Sequence, residues 1–358
     1  MKHKLALIGF GTVGQGLCEI LINKKSELKE NHDFDWEIVA VSDLLKGSVY
    51  CPEGLDVNQL LDLVKSDISL EEYECKSEKT PFEFGWDAVT TITDSNADIV
   101  CELSYTDLKT GEPALTHCKT AFENGKHVVT SNKGPASLRH KEMKKLAEKY
   151  RVQFLIEGTV MSGTPVLNLA RGPLAGCSIS AVRGILNGTT NYILTEMEAG
   201  KSYEDVLKTA QKLGYAEADP TGDVEGYDAM AKVIILANVV MGANISAESV
   251  DCEGITGITP EMINEAKQNN SRWKLIGSVE KSNGKITARV KPEMITSDHP
   301  LAGVMGATNA LTFSTDLLGE VTIIGAGAGR AETGFSILTD MLSINEFQNK
   351  DLNHENAH

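Results

Sequence analysis

The sequence predicts an α/β protein, with a Rossmann-type doubly wound parallel sheet and a second α+β domain. Over the first 156 residues, short apolar runs alternate with helical stretches, which is the pattern of βαβ units. A glycine-rich turn, 9–14, separates the first apolar run from the first helical stretch. Further along, Asn283-Gly284 lies between two extended runs and predicts a β-hairpin. The antiparallel hairpin indicates that the second half is not a continuation of the parallel sheet.

The elements of the first half follow from apolar periodicity and turn residues. Residues 44–90 are less regular and contain one helical pattern. Ser137 resembles the N-cap residue of a helix. The predicted strands are 4–8, 37–41, 98–103, 128–130 and 152–156, and the predicted helices are 12–28, 57–65, 113–124 and 138–149.

From about Gly158 the pattern changes to strands joined by antiparallel turns, together with further helices. Ser202-x-x-Asp205 is similar to a capping box and predicts a helix start. The polar tail from Asn345 is expected to be frayed. The predicted strands are 182–186, 273–280, 285–291 and 320–324. The predicted helices are 189–198, 203–213, 332–344 and one after Gly226 that includes Met230, Val233, Ile234 and Ala237.

Composition excludes several classes of partner. The chain of 358 residues is long enough for two domains, and it carries 34 Lys and Arg against 50 Asp and Glu, a net charge of -16. The absence of a basic footprint argues against nucleic acid and anionic membranes. No apolar run approaches the ~20 residues that span a bilayer, and the N-terminus has no signal-peptide pattern. The excess of acidic residues otherwise indicates only solubility.

The cysteines indicate a reducing compartment. There are seven, an odd number, and no C-x-x-C pair occurs, so neither a zinc site nor a disulfide framework is expected. A cytoplasmic location follows from this usage. The cysteines stand at positions 18, 51, 75, 101, 118, 177 and 252.

The turn Gly9-x-Gly11-x-x-Gly14 has the context that a dinucleotide-binding fingerprint requires, since it follows a strand and opens a helix. Its glycines allow backbone N–H groups to approach a pyrophosphate. Asp43, at the end of the second strand, is a candidate to accept from the ribose hydroxyls, which favours NAD. Nearby Lys46 would tolerate the 2′-phosphate of NADP. Asp43 also fits a simple turn-initiating role.

Residues 214–232, GYAEADPTGDVEGYDAMAK, form an acidic loop followed by a helix. Asp228 and Lys232 are four residues apart, so they share one face of that helix. Such a pair fits either a solvated helix end or a site for a substrate, and the dense carboxylates favour a cationic group such as a substrate ammonium. The five carboxylates are Glu217, Asp219, Asp223, Glu225 and Asp228.

Two further features lie where ligands bind in open α/β sheets. Lys133 follows the C-terminal end of a strand and is a candidate for substrate or cofactor contact, although a surface lysine is also consistent. A second glycine cluster, 325–329, fits a close approach of the backbone to a ligand or the return of the chain to the first domain. A second Rossmann domain is not expected, because no complete βαβ unit follows.

These residues together resemble the homoserine dehydrogenase family over nearly the whole chain. The resemblance implies interconversion of L-homoserine and L-aspartate 4-semialdehyde with NAD or NADP, in threonine, methionine and isoleucine biosynthesis. The chain is similar to the short monofunctional form without an ACT domain, so regulation through such a domain is not expected. The matching segments are GFGTVG (9–14), ADIVCELSYTD (97–107), ENGKHVVTSNKGP (123–135), EGTVMSGTPV (157–166), RGILNGTTNYIL (183–194), the acidic segment and GAGAG (325–329).

The resemblance also implies domain roles. Residues 1–150 with 325–350 would form the dinucleotide-binding domain, and residues 151–324 the substrate-binding and dimerisation domain of a homodimer. A monovalent cation such as Na⁺ would bind a loop in which backbone carbonyls do most of the coordination. Met161-Ser162 and Thr164 depart from the small or apolar residues that are usual in this loop. The loop residues are Glu157, Val160, Ser162 and Thr164.

Site roles are carried over motif by motif. Lys232 resembles the proton-transferring lysine, with Asp228 beside it and Lys133 as a second active-site lysine. The surrounding carboxylates should keep Lys232 charged, so oxidation of homoserine is expected to run best at alkaline pH. The substrate-binding candidates are Glu217, Asp223, Thr159 and Gly158, and the cofactor-binding candidates are Gly9, Gly11, Thr12, Val13, Gly14, Asp43, Ser104, Thr106, Lys133 and Gly327.

Two other classes stay open at this point. A semialdehyde dehydrogenase that transfers acyl groups needs a nucleophilic thiolate, for which Cys101 and Cys118 are the candidates in the nucleotide half. A non-catalytic NAD-binding regulator would retain the glycine turn but has no need for Lys133, Glu217, Asp223 and Lys232 together.

Overall fold

The structure, a computed structural model, describes residues 2–74 and 82–355, so Cys75 lies outside the described residues. The chain divides into two compact units, Met1–Thr159 with Gly329–His358, and Val160–Ala328. The sequence places these boundaries at 150/151 and 324/325, within ten residues of those in the structure. The glycine cluster therefore contains the point at which the chain returns to the first unit.

The first unit alternates strands and helices in the way the apolar runs predict. Its elements are β1 (Lys2–Ile8), α1 (Thr12–Asn23), α2 (Lys25–His32), β2 (Asp35–Asp43), β3 (Gly47–Tyr50), α3 (Val57–Lys65), β4 (Glu83–Phe84), α4 (Ala88–Asp94), β5 (Ile99–Glu102), α5 (Ala114–Glu123), β6 (His127–Thr130), α6 (Lys133–Leu138), α7 (His140–Tyr150), β7 (Phe154–Leu155) and, after the second unit, α15 (Arg330–Glu355).

The strands of this unit form one seven-stranded sheet of order β4-β3-β2-β1-β5-β6-β7. The five strands β2, β1, β5, β6 and β7 are parallel to one another in this spatial order. Strands β3 and β4 are added antiparallel at the β2 edge. The chain moves outward from β1 in one direction and then from β5 in the other. The topological switch point, where ligands bind in such sheets, therefore lies between the C-terminal ends of β1 and β5.

Close contact between α1 and α15 joins the two chain segments of the first unit. A Cβ on Gly16 would lie 2.2 Å from the carbonyl oxygen of Arg330, and one on Gly334 would lie 2.6 Å from the backbone nitrogen of Leu17. Leu17 and Ile337 are both fully buried in the core of the sheet. The C-terminal helix is thus an integral part of the nucleotide-type fold.

Three local predictions for this unit were wrong. The helix expected over 12–28 is two helices, with Lys24 at the break. Ser137 is not an N-cap; it lies inside α6, donates to the carbonyl of Lys133, and leaves Arg139 to precede α7. The tail from Asn345 is helical to Glu355, because the buried Asn345 amide bonds His3 Nε2 and the carbonyl of His32.

The second unit is α+β, as its turns predict. The short α8 (Gly158–Met161) includes the boundary residue Thr159, and the unit continues with α9 (Val166–Arg171), β8 (Ile179–Ile185), α10 (Gly188–Glu198), α11 (Tyr203–Lys212), α12 (Thr221–Val224), α13 (Tyr227–Val240), β9 (Val250–Cys252), α14 (Pro260–Gln268), β10 (Ser271–Ser282), β11 (Lys285–Thr296), β12 (Thr308–Thr315) and β13 (Gly319–Ala326).

A six-stranded sheet of order β13-β12-β8-β10-β11-β9 forms the core of this unit. The predicted hairpin is present: β10 and β11 pair from Ser271↔Thr296 to Ser282↔Lys285, and Asn283 and Gly284 both have positive φ. The predicted start of α11 is also confirmed, since Ser202 is its N-cap and accepts from the N–H of Asp205. Strand β12, which the sequence did not predict, pairs with β13 and β8.

One face of this sheet carries α13. A Cβ on Gly277 of β10 would lie 2.7 Å from Val233, so the glycine allows the helix to approach the sheet. Nearly every residue from Ala229 to Ala237 of α13 is buried, and Lys232 is buried among them. Among the described residues, no helix is both long and apolar enough to span a bilayer.

Candidate cofactor and substrate sites

The glycine loop of the first unit is shaped by close contacts on one side and open space on the other. Gly9 has φ +97, and a Cβ there would lie 2.4 Å from the carbonyl oxygen of Leu103. A Cβ on Gly14 would lie 2.9 Å from the carbonyl oxygen of Gly9. At Gly11, which immediately precedes α1, a Cβ would meet no atom within 4 Å. This open space before Thr12 and Val13 at a helix N-terminus fits the pyrophosphate of a dinucleotide.

Asp43 ends β2 and points back to the same loop. Its Oδ2 accepts from the N–H of Phe10 at 2.7 Å, and its Oδ1 accepts from the N–H groups of Leu45 and Lys46. Lys46 Nζ lies 3.6 Å from Oδ1. Burial alone would raise the pKa of Asp43, but these N–H donors and the charge of Lys46 hold it below its usual value. Asp43 therefore stays ionised, and its hydrogen bond from Phe10 stabilises the glycine loop.

The contact between Gly9 and Leu103 brings the loops after β1 and β5 together at the switch point. Ser104 follows at once, with its hydroxyl hydrogen-bonded to the buried Glu102 carboxylate. Thr106 is exposed further along this loop. Both predicted cofactor contacts therefore lie on the loop next to the glycine turn.

Lys133 is the first residue of α6, directly after β6. Asn132 is the N-cap and accepts from the N–H of Gly134 at 2.9 Å. This fixes the start of the helix, and hence the backbone of Lys133, at the C-terminal edge of the sheet.

In the second unit, the buried Lys232 is at the centre of a partly buried polar cluster. Its Nζ donates to Asp228 Oδ2 at 2.7 Å and to the carbonyl oxygen of Leu186 at 2.7 Å. Asn187 Nδ2 donates to Asp223 Oδ1 at 2.6 Å and to Asp228 Oδ2 at 3.0 Å. Only 8% of the Lys232 side chain is exposed. The structure thus unites three of the predicted residues, Asp223, Asp228 and Lys232.

Burial raises the pKa of Asp223 above its usual value, despite the hydrogen bond from Asn187; the charge of Asp228 adds to the increase, whereas that of Lys232 opposes it. The amide of Asn187 holds the two carboxylates close together, and their negative charges repel each other. A cation beside them relieves this repulsion, so the pair attracts a cation strongly. A substrate ammonium placed there would stabilise both charges.

Asn187 is the main residue of this cluster that the sequence did not single out. It caps α10 by accepting from the N–H of Thr190 at 2.9 Å, and its Nδ2 bridges the two carboxylates. The sequence offered one indication of this role. Asn187 immediately precedes the first helical residue, Gly188, and asparagine is favoured at the N-cap. The predicted start of α10 at Thr189 was one residue late.

The remaining predicted substrate and ion residues lie outside this cluster. Glu217 is exposed on the acidic loop, where its carbonyl accepts from Gln211 Nε2. In the first unit, Thr159 Oγ1 donates to the carbonyl of Ile156, and Gly158 packs so tightly that a Cβ would lie 2.4 Å from Ser336 Oγ.

The predicted ion-loop residues are distributed along the segment that crosses the unit boundary. Glu157 is buried in the first unit and its N–H donates to Asp340 Oδ2 at 2.9 Å. Val160 and Ser162 are buried in the second unit, where Thr164 Oγ1 donates to the carbonyl of Ala326. The described residues include no group of three or more His, Cys, Asp or Glu that could hold a metal ion.

The second glycine cluster is closely packed within its own unit. A Cβ on Gly325 would lie 2.2 Å from Thr164 Oγ1, and one on Gly327 would lie 2.1 Å from Asn309 Nδ2. Both glycines therefore allow these side chains to pack closely against the backbone of the cluster.

A fold with a dinucleotide-type loop at its switch point and a buried lysine–carboxylate cluster defines a two-unit NAD(P)-dependent oxidoreductase. The homoserine dehydrogenase family model matches residues 165–342. The chain belongs to the homoserine dehydrogenase family, NAD(P)-dependent oxidoreductases of threonine and methionine biosynthesis.

Two individual relatives match the sequence of this chain over nearly their full lengths. The chain is 43% identical to an NAD(+)-dependent homoserine dehydrogenase from Pseudomonas canavaninivorans, over 99% of both chains. It is 40% identical to a homoserine dehydrogenase from Methanocaldococcus jannaschii, over 95% of this chain and 98% of that one.

Solved structures agree as well. A putative homoserine dehydrogenase from Archaeoglobus fulgidus superposes with a TM-score of 0.85 at 37% identity, over 96% of this chain and 99% of that one. A hyperthermophilic archaeal homoserine dehydrogenase in complex with NADPH gives a TM-score of 0.79 at 29% identity, over 96% of this chain and 97% of that one.

The thiolate alternative does not fit the structure. Cys101 and Cys118 are fully buried. Burial raises the pKa of both thiols well above the usual value, and for Cys118 the charge of Glu102 adds to the effect. Neither thiol is suited to nucleophilic attack.

Proposed function

We propose that the cluster of Asn187, Asp223, Asp228 and Lys232 binds the amino-acid substrate and transfers the proton of the homoserine dehydrogenase reaction. The observation that carries this proposal is the buried Lys232 ammonium held between Asp228 Oδ2 and the carbonyl of Leu186. An ammonium has three N–H groups, and those two acceptors are its partners in the described structure. A third N–H can then be donated to the reacting oxygen of the substrate.

The cofactor supplies hydride chemistry when bound, and the protein handles the proton. During reduction of the aldehyde, Lys232 gives a proton to the oxygen as it gains negative charge. Asp228 holds the ammonium in place, and Asp223 receives the substrate ammonium. During oxidation of homoserine, the neutral amine of Lys232 accepts the proton of the substrate hydroxyl.

Other roles are assigned by the same reasoning. Lys133 is proposed as a second active-site lysine that contacts cofactor or substrate from the start of α6. Glu217, Gly158 and Thr159 are proposed as further substrate contacts. Ser104 and Thr106 are proposed to contact the cofactor with the glycine loop and Gly327.

NAD is the proposed preferred cofactor. An ionised Asp43 would repel the 2′-phosphate of NADP and accept from the free ribose hydroxyls of NAD. Lys46 acts in the opposite sense, but its Nζ is paired with the same carboxylate.

The decisive experiment is homoserine-dependent reduction of NAD⁺ and NADP⁺, measured side by side. Loss of general acid–base catalysis costs about 10²–10⁴-fold, so Lys232→Ala should lose at least that in kcat. Lys232→Arg should not restore it, because a guanidinium does not release its proton at these pH values. Lys212→Ala, at an exposed lysine on α11, is the matched control. Full activity in either Lys232 variant would remove this lysine from the mechanism.

A monovalent cation at the loop of Glu157, Val160, Ser162 and Thr164 is proposed to support activity through backbone carbonyls. Replacing NaCl with choline chloride at equal ionic strength should lower kcat. Equal rates in both salts would argue that the loop works without an ion.

A homodimer in the cytoplasm is the proposed assembly and location. A row of polar side chains crosses one face of the second sheet, where Arg183 pairs with Glu293 and Thr312 Oγ1 bonds Thr322 Oγ1 at 2.8 Å. Such a face suits a second copy of the same surface. The cytoplasmic location is proposed from the cysteine usage of the sequence, which indicates no disulfide framework. Light scattering at micromolar concentration should give twice the 38.7 kDa chain mass.

A further inference from the structure

A fully buried carboxylate, Glu102, ends β5 at the switch point of the first sheet. A buried ionisable group is costly unless hydrogen bonds compensate for the lost water. Glu102 has such compensation from three separate elements, and all of these elements lie at the C-terminal edge of the sheet. None of the roles assigned above uses it.

The first partner is Ser104. Its hydroxyl donates to Glu102 Oε1, and its backbone N–H lies 3.3 Å from the same oxygen. His117 of α5, also buried, places Nδ1 at 3.2 Å from Oε1. The Oε1 atom of Glu102 thus contacts both the Ser104 hydroxyl and His117 of α5.

The second carboxylate oxygen of Glu102 is connected to the start of α6 through a series of hydrogen bonds. Thr130 Oγ1 lies 3.2 Å from Oε2 and 2.6 Å from the carbonyl oxygen of Glu102. The same hydroxyl accepts from the N–H of Asn132 at 2.9 Å. Asn132 precedes Lys133, so the network ends at the first residue of α6.

Asn132 then closes the network into a ring. Its Nδ2 donates to the carbonyl oxygens of Ser104 and Tyr105, at 3.1 and 3.0 Å. Ser104 is therefore held through both its side chain and its backbone. Because Gly9 packs directly against Leu103 and Ser104, the ring also borders the glycine loop.

We propose that Glu102 is a positioning residue for the cofactor. It holds the Ser104 hydroxyl directly, and through Thr130 and Asn132 it fixes the backbone that carries Lys133, so that these groups are in place before the cofactor binds. The inference rests on the proposed assignment of Ser104 as a cofactor contact. A side chain that served only the fold would have no reason to act on binding through Ser104.

A double-mutant cycle tests this, with NADH affinity measured by fluorescence titration. Glu102→Gln retains the shape and most hydrogen bonds, so the protein should fold. Residues that orient metal ligands typically contribute about 10–100-fold, and by analogy we expect at least a tenfold weaker Kd for NADH. Ser104→Ala should also weaken binding, and adding Glu102→Gln to it should cost less than threefold more. The KM for homoserine should stay within twofold of the wild type.

Additive effects in the cycle, or unchanged NADH affinity in either single variant, would overturn the proposal. An unchanged Ser104→Ala would remove Ser104 from the cofactor site as well, whereas a clear Ser104→Ala effect with an additive cycle would reject Glu102 alone. Glu142→Gln, at an exposed carboxylate on α7, is the matched control. If Glu102→Gln fails to fold, Thr130→Val removes the relay hydroxyl and should weaken NADH binding in the same way.

Discussion

At the scale of single residues, the spacing in the sequence predicted that Asp228 and Lys232 share one helix face. The residues that contact this pair are known only from the three-dimensional structure. Asp228 and Lys232 stand four apart on α13, and their contact at 2.7 Å is confirmed. The amide of Asn187, 36 residues before Asp223, joins the two carboxylates. No local rule connects residues so far apart in the chain, so the bridge could not be predicted from sequence.

The raised pKa of Asp223 makes substrate binding sensitive to acid. As pH falls through the folded pKa, the carboxylate gains a proton and loses its attraction for a substrate ammonium. We therefore predict that the KM for homoserine rises on the acid side in the wild type. Asp223→Asn should raise KM at neutral pH about tenfold, since one charged hydrogen bond is lost, and should flatten this acid dependence.

Initial rates between pH 5 and 8 at saturating cofactor measure this effect. Asp219→Asn, an exposed carboxylate on the same loop, is the control and should behave like the wild type. An unchanged acid limb in Asp223→Asn would assign the dependence to another group.

At the scale of elements, the glycine turn shows what a motif does and does not specify. The pattern predicted a strand, a turn and a helix, and all three are present. It did not reveal that Gly9 is required by contact with Leu103, whereas Gly11 borders open space. Nor was the start of α6 at Lys133 predicted from the sequence, although the N-cap contact is local, from the N–H of Gly134 to Asn132 Oδ1.

This difference predicts opposite results for two similar substitutions. Gly11→Ala should leave the midpoint of thermal unfolding unchanged and weaken NADH binding at least tenfold, about 1.4 kcal/mol, because the methyl enters the proposed pyrophosphate space. Gly9→Ala should destabilise the fold by more than about 1 kcal/mol, because its φ is left-handed and the new Cβ meets Leu103. Normal NADH affinity in Gly11→Ala would place the phosphates elsewhere.

Lys274 joins β10 to α10 and to the segment before β12. It is fully buried, and its Nζ donates to Asn191 Oδ1 at 2.9 Å and to the carbonyl of Val304 at 2.6 Å. Burial lowers its pKa from 10.5 to about 8, although the charge of Glu198 opposes the change. The folded protein therefore holds fewer protons than the unfolded chain between these two pH values.

Stability contributed by Lys274 should consequently be full above pH 10.5 and be lost as pH falls through about 8. The free energy of unfolding of the wild type relative to Lys274→Met should increase from pH 7 to pH 10, by at most about 3 kcal/mol. Urea unfolding across this range measures the difference. Ile276→Val, at a buried neighbour that does not titrate, should show a difference independent of pH. A flat curve for Lys274→Met would contradict the lowered pKa.

At the scale of the whole molecule, the change in sequence pattern near Gly158 predicted two different architectures. The sheets confirm this, one mostly parallel and one mostly antiparallel. The order of strands in the second sheet was beyond sequence reasoning, because β12 pairs with β8 across more than 120 residues. The helical tail was missed for the same reason, since Asn345 is satisfied by His3 and His32 at the opposite end of the chain.

The distribution of the proposed contacts predicts that each ligand protects mainly one of the two units. Amide hydrogen exchange reports local opening, and a ligand that binds only the closed form slows it. NADH alone should slow exchange in the first unit, most strongly at 9–16 and 102–107, because the proposed cofactor groups lie there. Homoserine alone should slow exchange in the second unit, at 186–191 and 221–233. Gly11→Ala should lose the first effect and keep the second, and Asp223→Asn should do the reverse. Protection by NADH confined to the second unit would contradict the assignment of the cofactor to the glycine loop.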